Sequence, residues 1–470
     1  MIRTILYCLC SLAAGYSQGQ TWRNVFGAYG QDEARAVRWV GEELIMVAGS
    51  TGSGGAGGSD IYLLALDGAG SRLWSVAIGT TAIEQASDLL VASDGTLVIA
   101  GSSNAGGDYD GLLVKTDPLG QVIWQYTYGG DDWDFFRELI ELPNGDVMAV
   151  GQSFVEGVGS EVWLVRVDAD GMVLSEHFYG GLGEQDGHSL CTTVDGFAVA
   201  GSSGTDDASD VLLIRLDPDM NVVWSHTYGG DSLQVAYDVL NTTDGGFSVV
   251  GLTHRYSVFE EGYHLKTDGD GVQQWERNWG QINDQGAYEH LQLPTGEFMT
   301  IGYTKTSGGG ERDMFLLKST EGGDFMFGRT FGGGEDDVAF GLDRTDTGFL
   351  CAGWTMSYGA GGRDVLVVRT DDSGATETQN IGTAFDPVDV EERAIHRHRI
   401  HPNPCRGEFT ITGAAGGTVR IVDANGRAVL SPARYTPGAL VQVDLVPGLY
   451  LVEVGTGAAV WRSQLVIVGE

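Results

Sequence analysis

Residues 210–230, DVLLIRLDPDMNVVWSHTYGG, return in altered form about every fifty residues, and that recurrence limits the folds open to this chain more than any other feature. An acidic residue opens each copy, at Asp60, Asp110, Glu161, Asp210, Glu261, Asp313 and Asp364, with intervals of 49 to 52 residues. A period of this length marks propellers, solenoids and arrays of small units. Within a copy, an alternating apolar run leads to a turn with Asp followed three residues later by Gly, as in Asp67–Gly70, Asp117–Gly120 and Asp268–Gly271. Asp supplies a side-chain acceptor to the turn backbone and Gly tolerates positive φ, which is hairpin chemistry. A second run follows, with Trp74, Trp124, Trp224 and Trp275 in phase.

Two more strands complete the unit. The second of them ends at Gly49, Gly101, Gly151, Gly201, Gly251, Gly302 or Gly353, always with Ser or Thr two residues on. The segments are short, β-rich and bounded by Gly and Asp, without a sustained helical period. Four strands in each of seven units predict an all-β chain built as a seven-bladed β-propeller. A parallel β-solenoid also repeats, but tight Asp-x-x-Gly hairpins do not join its strands.

Trp22 to Gly27 matches the Trp strand of the repeat yet precedes the first complete unit. Closing a ring removes exposed strand edges. Residues 22–27 are therefore expected to supply the outer strand of the seventh blade, beside residues 364–370. With strands lettered a to d from the axis outward, the tight a–b and c–d turns share one face. The longer b–c and d–a loops share the other. Just before each strand a stand Asp32, Glu84, Asp134, Gln185, Gln234, Gln285 and Asp337, mostly with a small residue two places later. These seven are expected to rim the central channel on the long-loop face and to be its ligand-binding residues.

Residues 1–17 have the basic start, apolar core and small residues of a secretory signal peptide. The propeller is expected over 21–382, a linker over 383–399, and a small Ig-like β-sandwich over 400–470. The formal net charge of −37 resides almost wholly in the propeller, since residues 396–470 hold seven Arg against five Asp or Glu. Such a surface repels phosphate backbones and excludes nucleic acid as a partner. Calcium in the acidic d–a loops is the one cofactor considered. Cys191 and Cys351 fall in strands of distant blades and are expected to be buried thiols rather than a bridge.

The last segment carries Pro402, Asn403, Pro404, Gly407, Phe409, Asp423, Gly426, Leu445, Gly448 and Tyr450 in order. That order resembles the C-terminal sorting domain of the type IX secretion system of Bacteroidetes-group bacteria. Cys405 departs mildly from the pattern. The resemblance implies export across the outer membrane through the type IX machinery, removal of the domain near the linker, and a secreted or surface-attached product. The propeller units resemble repeats common in secreted proteins of the same bacteria, a group that implies no defined activity.

An enzyme would break the repeat with a few unique polar residues gathered in a cleft. HExxH, GxSxG and Cys-His pairings are missing, and no carboxylate pair stands out among so many, so no catalytic residue is assigned. Out-of-phase aromatics on the long-loop side, Trp133, Phe135, Phe136, Tyr256, Phe259, Trp354 and Tyr358, are the better ligand candidates. Four histidines, His188, His254, His264 and His290, also break the consensus; nothing pairs them on the binding face, and they are expected to be surface residues or interblade packing. The reading is a secreted, non-enzymatic binding scaffold for an extracellular glycan or protein. Its alternative is a hydrolase of extracellular polysaccharide with an acidic site at the channel mouth.

Overall fold

A computed structural model describes residues 21–376, apart from short breaks at 42–43, 156, 182, 206–207, 231, 255–258, 281–282 and 310, together with most of 399–467. The expected signal peptide and all of the expected linker but Arg399 lie outside the described residues. The chain divides into two compact units, Met1–Glu392 and Arg393–Glu470.

In the first unit, strands follow one another as four-stranded antiparallel sheets in chain order. The first blade runs Asp32–Gly41, Leu44–Thr51, Asp60–Leu66 and Arg72–Ile78, and five more repeat it. The seventh sheet takes Asp337–Arg344, Gly348–Thr355 and Asp364–Asp371 from one end of the unit and Trp22–Phe26 from the other. Trp22 lies opposite Arg369 and Phe26 opposite Val365, so the first strand closes the ring as the sequence predicts.

Burial follows position in the sheet. Strand c is buried along its whole length in the first blade, flanked by two strands and covered by neighbouring blades. Strand d, at the outer edge, is exposed along most of its length in the fourth blade. Apolar cores form between blades: Ala36, Ile61 and Leu63 of the first pack with Leu89, Ile99 and Leu112 of the second. The in-phase aromatics fasten these junctions. Trp124 Nε1 donates to Ala169 O at 2.9 Å and Trp22 Nε1 to Gly68 O at 3.0 Å, each in the turn of the next blade. The turn itself forms as the sequence implies, with Asp67 Oδ1 accepting from the N–H groups of Ala69 and Ser71 and Gly70 at φ 81°.

Each strand a carries a β-bulge at one register position, between the second and fourth residues after its opening Asp, Glu or Gln. Opposite the bulge stands the strand-b glycine. A Cβ on Gly201 would lie 1.8 Å from the carbonyl oxygen of Asp186, and the other six blades show the same close approach. The glycine repeats because the bulged backbone leaves no room for a side chain.

The second unit is also all-β, with one three-stranded and one four-stranded antiparallel sheet. Of the sorting-motif residues, Pro402, Asn403, Pro404, Gly407 and Gly426 lie outside the described residues. Gly448 opens the strand Gly448–Thr456. Tyr450 is buried in the core with Phe409 and Ile421 and donates its hydroxyl to Val446 O at 2.8 Å.

Candidate functional site

The seven residues expected to rim the channel, Asp32, Glu84, Asp134, Gln185, Gln234, Gln285 and Asp337, are placed elsewhere. All are at most 9 % exposed. Strand alternation turns the first and third residues of each strand a away from the axis, into the blade. In six blades the side-chain oxygen accepts the N–H four residues earlier, from Ala28, Thr80, Gly130, Gly181, Gly230 and Gly333, at 2.7 to 3.2 Å. Thr51 and Ser103, two residues after the strand-b glycine, donate to Asp32 and Glu84. The ring therefore locks the d–a loops onto the blades, and this corrects the rim geometry.

The strand-c acids meet this ring from the preceding blade. A Cβ on Gly27 would stand 2.1 Å from Asp364 Oδ1 and 2.8 Å from Asp32 Oδ2, so the two carboxyls face one space. Burial, reinforced by Asp32, raises the Asp364 carboxyl to about 6. Asp60, which faces Glu84 in the same way, is likewise raised, chiefly by burial.

The channel is lined by the bulged residues instead: Arg35, Ser87, Arg137, His188, Tyr237, Tyr288 and Phe340, one from each blade. Here the sevenfold pattern breaks completely. His188, Tyr237, Tyr288 and Phe340 form an aromatic arc, with neighbouring ring centroids 5.3, 5.0 and 4.6 Å apart. Arg35 closes one end of the arc, its guanidinium 4.1 Å from the Phe340 centroid. Arg137 stands near the other end, beside Phe135 at 5.3 Å. Burial and the Arg137 charge hold the His188 imidazole down at about 3, so the ring is neutral at physiological pH.

Beneath the arc lies a floor of carboxylates in a cavity of about 440 Å³. Asp88, Glu138, Asp238 and Glu289 each stand four residues after the opening residue of their strand. Each accepts a backbone N–H from the next blade: Leu139 to Asp88, Leu190 to Glu138, His290 to Asp238 and Leu342 to Glu289, at 2.6 to 3.0 Å. Ser189 does the same for Val239 at 3.0 Å. The bulge frees these N–H groups, and a side chain one blade back satisfies each. Arg38 bridges Asp88 at 2.6 Å and Glu289 at 3.5 Å. Burial pushes Glu289 up to about 8 despite Arg38, and it pushes Glu138 well above the usual range, with Asp238 and Asp88 adding to the effect. Burial alone would raise Asp238 too, but His290 at 2.6 Å and the bonds to it hold Asp238 low.

Among the aromatic candidates, Phe135 lines the channel and Trp133 is exposed on the surface. Phe136 stacks on Trp163 at 4.5 Å in the core. Trp354 is buried beneath Arg363. Tyr358 donates to Gly332 O. Phe259 is on the surface, and Tyr256 lies outside the described residues. Cys191 and Cys351 are unbridged, and burial pushes both thiols up. Among the described residues no three His, Cys, Asp or Glu side chains converge as a metal ion requires. None of the helices searched there is long and apolar enough to cross a membrane.

Comparison with known proteins bears on the two units differently. Residues 399–468 match the Secretion system C-terminal sorting domain. Among curated proteins none matches the chain in sequence. Solved structures similar to it include the WD40 domain of Neurospora crassa Pan2, at 12 % identity over 74 % of this chain and 91 % of that one, with a TM-score of 0.46. The WD40 propeller of Doa1 is 13 % identical over 76 % of this chain and all of that one, with a TM-score of 0.47. A protein of unknown function from Bacteroides caccae is 10 % identical over 62 % and 94 %, with a TM-score of 0.40. The sorting domain implies engagement of the type IX machinery and a secreted or cell-surface location. The chain is a seven-bladed β-propeller protein that carries a C-terminal sorting domain of the type IX secretion system.

Proposed function

We propose that the propeller is a non-enzymatic binding module that works outside the cell and takes its ligand at the channel mouth. One observation carries this reading. The bulged residues, one from each blade, face the channel without sevenfold equivalence, and there they form an aromatic arc flanked by two arginines. Aromatic faces with a few placed polar groups suit a sugar or another flat, hydroxylated ligand. The floor carboxylates are engaged in joining blades, which argues against their serving as a catalytic pair. The C-terminal unit delivers the propeller to the surface. Phe409 and Ile411 of one sheet share a core with Val419, Ile421 and Val452 of the other, which supports an Ig-like sandwich.

A second reading, a polysaccharide hydrolase, is favoured by one feature. Burial pushes Glu289 up to about 8 and Glu138 well above the usual carboxylate range inside the channel, beside the low-lying Asp238. A glycan array probed with the purified chain, run beside a panel of hydrolase substrates, separates the two. Binding without turnover that Tyr288→Ala weakens supports the module. Turnover abolished by Glu289→Gln supports the hydrolase.

A further inference from the structure

The three guanidinium groups of the channel are not equivalent. Arg35 is tied to Glu33 at 2.8 Å and Arg38 to Asp88 at 2.6 Å. Among the described residues, no carboxylate lies at ion-pair distance from Arg137. Its polar contact is Gln152 Oε1 at 3.3 Å, and its Nε is buried without a hydrogen-bond partner. The nearby acid Asp186 is held by the Ser160 hydroxyl at 2.8 Å. Burial accordingly lowers the Arg137 pKa, the direction expected of a cation that lacks a counter-charge, although Asp186 opposes it. A half-buried guanidinium with no direct counter-ion is incompletely solvated, and a ligand anion would supply the missing partner. In a chain with a net charge of −37, such a group is not a general anion attractor. It is a single local one.

Around Arg137 the site is shaped for a ring. Tyr237 and Tyr288 present half-buried faces to the channel, and neutral His188 stands between Arg137 and Tyr237. Gln85, Ser87 and Ser102 of the second blade, beside the blade that carries Arg137, offer hydroxyl and amide partners. A cavity of about 440 Å³ falls within the usual range for small-molecule sites, roughly 300–1,000 Å³.

We propose that the channel mouth binds an acidic sugar unit, its carboxylate on Arg137 and its ring face against Tyr237 and Tyr288. This rests on the channel-binding reading above and names its ligand class as uronic-acid glycans. Arg137 acts by placing a planar, bidentate fork where the carboxylate lies, which a lysine reproduces only in charge.

Calorimetric titration of the full purified chain tests this with three probes: trigalacturonate, its fully methyl-esterified form and triglutamate. The acid is expected to bind at least tenfold more tightly than the ester, with an affinity that falls as salt rises. Arg137→Gln, checked by melting to be folded, should bring the acid down to the level of the ester, and Arg137→Lys should recover part of the difference. Equal binding of acid and ester overturns the proposal, as does no binding of the acid or tighter binding of triglutamate. The acid–ester comparison uses the unaltered protein and so stands even if the variants fail to fold. Ester binding that Tyr288→Ala abolishes and Arg137→Gln leaves unchanged would sink the acidic-sugar proposal while sparing the channel-binding reading.

Discussion

His290 Nδ1 lies 2.6 Å from Asp238 Oδ2, 52 residues earlier in the chain, and the contact joins the fifth blade to the sixth. The opposite nitrogen of His290 meets the Ser248 hydroxyl at 2.8 Å, and that hydroxyl also meets His264 Nε2 at 2.7 Å. Asp, His and Ser in this order are the members of a hydrolytic triad. Here Ser248 is fully buried and both histidines are at most 3 % exposed, so no substrate reaches them. The relay is a structural fastening between blades. Asp238→Ala should cost roughly 3–5 kcal/mol in denaturant melts, because it strands a buried imidazole and the His290 N–H together. Ser248→Ala should cost about 1–3 kcal/mol and leave every substrate assay unchanged.

The strand-b glycine gives a sharper test of the bulge. Gly201→Ala places a methyl group 1.8 Å from the Asp186 carbonyl oxygen, which the blade can accept only by opening its inner strand pair. A loss of at least about 1–3 kcal/mol is expected. Gly130→Ala is the control: nothing lies within 4 Å of its added Cβ, so its melting should stay within about 0.5 kcal/mol of the parent.

The junction between Asp364 and Asp32 sets a pH dependence. Asp364 is raised from 3.8 to about 6 in the folded protein, chiefly by burial. Folding therefore favours its protonated form. Its stabilising contribution is complete below the ordinary value and is lost as pH rises through the folded one. Melting temperature should fall between pH 4 and pH 7. Asp364→Asn should flatten that slope and gain about 1–2 kcal/mol at pH 8, since an amide still accepts the Ala360 N–H and carries no charge toward Asp32.

Trp22 carries much of the closing strand's hold. It is 2 % exposed, packs with Leu64, Leu66 and Val367, and donates to Gly68. Trp22→Ala should cost about 3–5 kcal/mol. Hydrogen exchange should quicken in residues 22–26 and 364–371 ahead of the other blades.

The architecture was legible because propeller sequence repeats in register. Spacing from Asp60 to Asp364 counts the blades, and WRNVF reveals itself as a Trp strand out of place. The site was not legible, for a geometric reason. Asp32 and its six counterparts recur in phase, and so they drew attention, but the pleat turns them inward to the blade. A bulge shifts the pleat by one residue, and the sequence does not display that shift. Arg35, Arg137, Tyr237 and Tyr288 looked like ordinary alternation. The floor acids left one usable signal: Asp88, Glu138, Asp238 and Glu289 share one column, four residues after the opening Asp, Glu or Gln and each next to an apolar residue or His290, and a charge there needs a partner.

Pairing residues 22–26 with residues 364–371 gives the ring a length gauge. Strands made at opposite ends of the unit must both be present before either finds its mate. A chain interrupted anywhere ahead of residue 371 keeps two bare margins, however well its middle blades have formed. Such a fragment advertises its own incompleteness to proteases and to other chains, and only the finished product escapes notice.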